Sequence, residues 1–343
     1  MLKPEKAEEF FVESQFRKSM EKISLPCPNK FNVEKLTGDA STRRYYRINC
    51  DKESYVVCLD QPTDEAEENN FTITQKVLNE NEINVPIIHD KNLKKGYLLE
   101  EDLGNVTLLN KLSEIKTRDE EITIYKKVLD ELIKLHKISH KTIEDQFFYK
   151  QKFDYEKLMF EIEFSNKYFI QEFLKCTLTT EEEKILKNGF NRLCKELEKP
   201  ETVLTHRDFH SRNLMFKDNK YIMIDFQDAR MGIPQYDLVS LLEDNYYSLT
   251  YESKEELKNY YLEQMRDVIK DQSKSDFDKM YYYMKIQRTY KAIGSFAYIY
   301  SKREDIRYIK YIGYSWEKLK RVLLRNEEFS ELREVLARKY YGA

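Results

Sequence analysis

A chain of 343 residues with 41% hydrophobic content can bury one large core or two moderate ones, so neither disulfides nor structural metals are needed to hold it. The 58 basic and 61 acidic side chains nearly cancel to a net charge of -3, and no basic block of the kind that tracks a nucleic-acid backbone is present. The five cysteines, Cys27, Cys50, Cys58, Cys176 and Cys194, are odd in number, scattered and never spaced Cys-x-x-Cys, which predicts free thiols in a reducing compartment and no zinc site.

The first residues, MLKPEKAEEFF, are charged from the third position, and no uncharged stretch approaches the length of a membrane span. A cytoplasmic protein is expected, with no membrane or nucleic-acid partner and no obligate protein partner evident. Residues 5–22 place Phe10, Phe11, Phe16 and Met20 at helical spacing and predict an amphipathic helix. The period then changes. FNVEKL, RYYRIN and SYVVCLD are short, rich in β-branched and aromatic side chains, and separated by TGDAST and CDKE, which predicts an antiparallel three-stranded meander. EENNFTITQKVLNE returns to helix, and GYLLEEDLG reads as a strand running into a turn at Gly104. From Val106 onward helical patterns dominate, with apolar residues at i, i+3, i+4 and i+7 in EITIYKKVLDELIKLHKI and TTEEEKILKNGFNRLCKEL. Between Thr202 and Ala229 they give way to short apolar runs, VLTH with NLMF and then YIMIDF, joined by a turn at Lys217 to Lys220. The expected fold class is α+β and bilobal: a small β-rich nucleotide-binding lobe over residues 1–103 and a larger, mainly helical lobe over 104–343 that carries the polar loop and the acceptor site.

That loop, THRDFHSRNLMF, holds the chemistry. Asp208 and Asn213 precede one strand of the hairpin and Asp225 follows the other, so pairing the strands is expected to bring all three to one end. An acid, an amide and a second acid can hold a hard cation and orient a hydroxyl, and magnesium prefers one or two carboxylates plus phosphate oxygens to a full protein cage. HRDFHSRN fits the kinase catalytic-loop pattern H-R-D-x-x-x-x-N, and IDFQ supplies the acid of D-F-x. By that pattern Asp208 is the base, Asn213 and Asp225 bind magnesium, and His206 is a structural tie.

The chain also departs from protein kinases: it has no G-x-G-x-x-G and no A-P-E, and DFQD replaces D-F-G. H-x-D-x-x-x-x-N followed by I-D-F resembles the aminoglycoside phosphotransferase and choline kinase superfamily, which implies the bilobal protein-kinase-like fold. Together, LTGDASTRRYYRI, LLEEDLG, HRDFHSRNLMF, IDFQDARMGIPQYDLVSLLED and IQRTYKAIGSFAYIY look like the anomeric kinases that phosphorylate N-acetylmuramate and N-acetylglucosamine on O1. The similarity runs from about Leu36 to Tyr300 and implies ATP and Mg2+ as cofactors, a small-molecule sugar substrate and a place in peptidoglycan recycling. Two other readings stay open. One is an aminoglycoside or choline-type phosphotransferase. The other is a nucleotide-binding pseudokinase, because SYVVCLD has Cys58 about where the phosphate-binding lysine is expected.

Under the kinase reading the turn with Gly38, Ala40 and Ser41 brings backbone N–H groups toward phosphate oxygens, and Arg43 or Arg44 stands in for the missing lysine. Glu101 and Leu103 lie in the strand that would meet the adenine edge, although Glu101 and Asp102 also suit turn and cap roles. Asp228 is open between metal, sugar and a local turn. Asp237 is expected at a helix N-cap, bracing the catalytic loop. Arg288 and Lys291, three apart on one helix face, would meet the lactyl carboxylate of N-acetylmuramate or a sugar hydroxyl, or would simply be solvated. Asp244 and Asn245 are further substrate-binding candidates.

Overall fold

The computed structural model describes residues 4–26, 30–36, 43–50, 53–63, 68–270 and 272–342; Gly38, Ala40 and Ser41 lie outside them. In chain order come α1 (Pro4–Lys22), β1 (Asn32–Leu36), β2 (Arg44–Asn49), β3 (Ser54–Leu59), α2 (Asn70–Glu80), β4 (Ile88–Asn92) and β5 (Tyr97–Glu101). Next are α3 (Leu108–Glu114), α4 (Arg118–His136), the short α5 (His140–Ile143) and α6 (Phe147–Lys150), α7 (Tyr155–Ser165) and α8 (Thr180–Leu197). The interruption holds β6 (Val203–Thr205), β7 (Leu214–Lys217), β8 (Lys220–Met223) and β9 (Arg230–Gly232). The chain then returns to helix in α9 (Gln235–Leu242), α10 (Tyr251–Gln264), α11 (Lys274–Arg303), α12 (Ile309–Leu323) and α13 (Ser330–Tyr341). Contacts divide it into two units, one of Met1–Val106 with Met215–Gln227, the other of Thr107–Leu214 with Asp228–Ala343.

In the first unit the meander forms as expected and is extended to a five-stranded antiparallel sheet of order β1-β2-β3-β5-β4. Strand alternation puts Tyr46, Ile48, Tyr55, Val57, Leu59, Tyr97 and Leu99 on one face, where they bury Val12, Phe16 and Met20 of α1. Phe11 packs partly against this core, but Phe10, also counted on the apolar face, is 71% exposed, because consecutive helix positions are about 100° apart and cannot share one narrow stripe. The β7-β8 hairpin belongs to this unit. Its turn is Asp218-Asn219, both with positive φ (48° and 60°), the backbone a two-residue hairpin requires and one that Asn and Asp tolerate. Phe226 beyond it stacks on Phe71 of α2 with centroids 4.8 Å apart, Met223 N–H donates to the Asn84 carbonyl at 2.8 Å, and Lys217 bridges to Glu101 at 2.7 Å.

The second unit is helical apart from β6 and β9, which pair antiparallel. Its helices begin where the sequence supplies caps: Thr107, Thr117 and Thr179 each accept from the backbone three residues on, with the reciprocal bond returned. α11 lies so close to α7 that a Cβ on Gly294 would stand 2.3 Å from the Ser165 hydroxyl. α11 also brings Arg288 and Lys291 to Asp208, in the loop between β6 and β7.

Candidate active site

The loop between β6 and β7 is held by buried carboxylates of α9 and of the segment just after it. Asp237, fully buried, accepts from His206 N–H at 2.6 Å and Arg207 N–H at 2.9 Å. His136 of α4 donates its Nε2 to the same carboxylate at 3.2 Å while its Nδ1 meets the Tyr261 hydroxyl. The N-cap of α9 is Pro234, with Asp237 in the first turn. The expected N-cap role is therefore corrected: Asp237 reaches the loop directly with its side chain. Asp244 works in the same way, with one oxygen on Ser211 N–H and the other on Tyr246 N–H, both at 2.9 Å. Asn245 accepts from the Ser315 hydroxyl.

These tethers hold a strained backbone. Arg207 has φ +83°, a left-handed conformation costly for a side chain of its size, and such outliers persist where surrounding bonds over-determine them. In the first unit Asp225 is likewise left-handed, at φ +66°. Its Oδ1 accepts from Gln227 at 2.7 Å, and its other oxygen has no protein partner among the described residues.

Asp208 presents two unlike oxygens. Oδ1 accepts from Lys291 at 3.0 Å and lies 3.4 Å from Arg288. Oδ2 has no hydrogen bond among the described residues; Arg207 Nε, at 3.9 Å, is too far for one. Burial alone would raise this carboxyl, but Lys291, Arg207 and Arg288 outweigh it and hold it well below the usual carboxylate range. Asn213 donates its amide nitrogen to the Asp208 carbonyl at 3.0 Å, which leaves its amide oxygen as the free acceptor. An amide oxygen and an unbonded carboxylate oxygen are the hard donors magnesium takes alongside phosphate, so Asn213 and Asp225 each fit that ion chemically. Among the described residues no group of three His, Cys, Asp or Glu gathers into an all-protein metal cage.

Arg288 and Lys291, expected on one helix face, are thus ion partners of Asp208, and Arg288 also lies over the Tyr236 ring at 4.4 Å. Asp228 pairs with Arg207 at 2.7 Å. His206 is buried, with Phe209 edge-on at 5.7 Å. In the first unit Arg43 pairs with Asp60 at 2.8 Å and Arg44 with Glu8 at 2.9 Å. Glu101 takes Lys217, while Asp102 grips Arg47 at 2.7 Å and caps the Gly104 turn. Leu103 is buried beside that turn. Sequence reasoning passed over Lys157, Glu161, Arg230 and His210. Lys157 and Glu161 sit on an ordinary amphipathic helix and carry no local signal; Arg230 and His210 adjoin the quoted motifs and were within reach.

The sequence profile of the phosphotransferase enzyme family matches residues 32–270. An N-acetylmuramate/N-acetylglucosamine kinase of Neisseria meningitidis serogroup B is 28% identical over 308 residues, covering 89% of this chain and 90% of that protein. A protein of the same name from Pseudomonas putida is 27% identical over 309 residues, covering 90% and 88%. Among solved structures, choline kinase from Cryptosporidium parvum superposes with TM-score 0.63 at 14% identity over 96% of this chain and 98% of that one, a likeness of fold. No helix among the described residues is long and apolar enough to cross a membrane.

Proposed function

The chain belongs to the phosphotransferase enzyme family, and from that membership we propose that it is an ATP-dependent kinase acting on the anomeric hydroxyl of an amino sugar, N-acetylmuramate or N-acetylglucosamine, in cell-wall sugar recycling. Transfer of phosphate to a hydroxyl follows from the family and from the kinases it resembles. The names of the two relatives and their nearly full-length match support the sugar.

The observation that carries the acceptor reading is the charge around Asp208. Three cations, Lys291, Arg207 and Arg288, face its carboxylate and outweigh the effect of its burial. A cationic acceptor such as an aminoglycoside or choline meets repulsion from them; a neutral or acidic sugar does not.

In this reading Asp208 Oδ2 receives the acceptor proton while Lys291 and Arg288 keep Oδ1 occupied and the carboxylate oriented. The bond between the acceptor oxygen and the terminal phosphorus forms as the bond to the bridging oxygen breaks, and ADP leaves. A carboxylate of such low basicity suits an anomeric hydroxyl, which the ring oxygen makes more acidic than an ordinary alcohol. Magnesium, held through the oxygens of Asn213 and Asp225, would neutralise charge on the phosphates. Gly38, Ser41, Arg43 and Arg44 would meet those phosphates, and Glu101 and Leu103 the base. The test is incubation with ATP, magnesium and a panel of reducing sugars, amino alcohols and aminoglycosides, followed by phosphorus NMR, with the Asp208→Asn variant alongside. Phosphate on O1 with loss of the reducing end, abolished in the variant, is expected. Product confined to an aminoglycoside or choline hydroxyl would overturn the reading, and nucleotide binding with no product from any acceptor would favour the pseudokinase.

A further inference from the structure

The loop that carries Asp208 is anchored near both ends of α9. Asp237 in the first turn takes His206 and Arg207 N–H, and Asp244, just past the last turn, takes Ser211 N–H at 2.9 Å. Asp237 stands on a helix. Asp244 stands on residues 243–246, between α9 and α10, and a connecting stretch keeps a fixed geometry only where other elements hold it. One face of α12 does so. Tyr311, Ser315 and Lys318 are spaced i, i+4 and i+7, which puts them on one stripe of the helix, and they grip consecutive residues. The Lys318 ammonium donates to the Glu243 carbonyl at 3.1 Å and to the Asp244 carbonyl at 2.6 Å. The Ser315 hydroxyl donates to Asn245 Oδ1 at 2.9 Å, and the Tyr311 ring meets the Tyr246 ring edge-on with centroids 5.0 Å apart. The end of a helix leaves carbonyls without an intrahelical partner and favours a cation. Lys254 of α10 and Lys285 of α11 each take one oxygen of the Glu243 carboxylate at 2.7 Å; Lys318 instead bonds the main chain. On its other side the same segment meets the loop. The Tyr246 ring lies under the Arg212 guanidinium at 4.8 Å and meets the His210 ring at 5.4 Å. Three successive residues, His210, Ser211 and Arg212, therefore rest on it, and they are the stretch that leads from Asp208 to Asn213.

We propose that α12 is a positioning element for the loop that carries Asp208, with Lys318 as its positioning residue. By fixing the Glu243 and Asp244 carbonyls, Lys318 aims the Asp244 carboxylate at Ser211 N–H and keeps the stretch between Asp208 and Asn213 in place. It acts through Asp244 and not on a substrate. The inference rests on the role given above to Asp208 and holds for any acceptor hydroxyl. α12 lies past residue 270, where the family match ends.

The test compares the wild type with Lys318→Met, Lys318→Arg, Asp244→Ala and the Lys318→Met/Asp244→Ala double variant, by steady-state phosphate transfer and by hydrogen exchange of peptides covering residues 206–216. Lys318→Met should lower kcat about tenfold while KM for ATP and for the sugar stays within about twofold, and Lys318→Arg should recover most of the loss. The double variant should lose no more than Asp244→Ala alone, because both changes cut one path. Exchange of the loop peptides should be faster in Lys318→Met. An unchanged kcat, a loss additive with that of Asp244→Ala, or faster exchange confined to residues 243–246 would each overturn the positioning role. If Lys318→Met does not fold, Ser315→Ala removes a single bond from the same stripe and must also speed exchange of the loop; unaltered exchange there overturns the role likewise. A wild type that transfers phosphate to no acceptor overturns the functional reading, and exchange of the loop then decides the positioning role by itself.

Discussion

Asp208 and Glu100 show how environment sets the behaviour of two acids in one chain. Three cations keep Asp208 ionised. Glu100 is only 6% exposed, its Oε1 has no hydrogen-bond partner among the described residues, and burial, opposed by Arg43, pushes its carboxyl from 4.5 up to about 7. The folded chain therefore holds this proton more tightly than the unfolded chain does. Stability falls as pH rises from about 4.5 through about 7, and that displacement corresponds to about 3 kcal/mol. Glu100→Gln keeps the shape and removes the titration. The variant should melt several degrees above the wild type at pH 8 and close to it at pH 4.5, as measured by differential scanning fluorimetry. An equal gap at both pH values would show that this carboxyl does not titrate as stated.

At the scale of elements, the loop that carries Asp208 depends on α9 more than on its own strands. β6 is three residues long, too short to fix the loop that follows, and the backbone at Arg207 is strained. Asp237 supplies what β6 lacks by accepting two loop N–H groups and the ring of His136. Asp237→Ala would leave those three donors buried and unpaired, at a cost of about 3–5 kcal/mol. The expected result in urea denaturation is an earlier unfolding midpoint together with a lower kcat, since Arg207 adjoins Asp208. A variant with normal stability would mean that the loop is held by other bonds. The β7-β8 hairpin is the contrasting case. Asp218 and Asn219 suit their left-handed turn, so that element was legible locally.

For the whole molecule, the first unit draws its hairpin from the second half of the chain. A fragment ending at residue 106 loses the Phe226 ring stacked on Phe71 and the bond from Met223 to Asn84. That fragment should melt broadly at a lower temperature in circular dichroism, and adding residues 215–227 through a flexible linker should sharpen and raise the transition. Identical melting of both fragments would show that the hairpin adds nothing to this unit. Amino-acid order by itself determined the strands of the meander, the capped helices, the hairpin turn and the loop that carries Asp208 and Asn213, because periodicity, caps and turn residues act over a few positions. It could not reveal that Asp237 reaches the loop from inside a helix, or that Arg288 and Lys291 close on Asp208. Those outcomes depend on which helix faces meet across long sequence separations. Charge pairing and burial are properties of that meeting, and no local pattern encodes them.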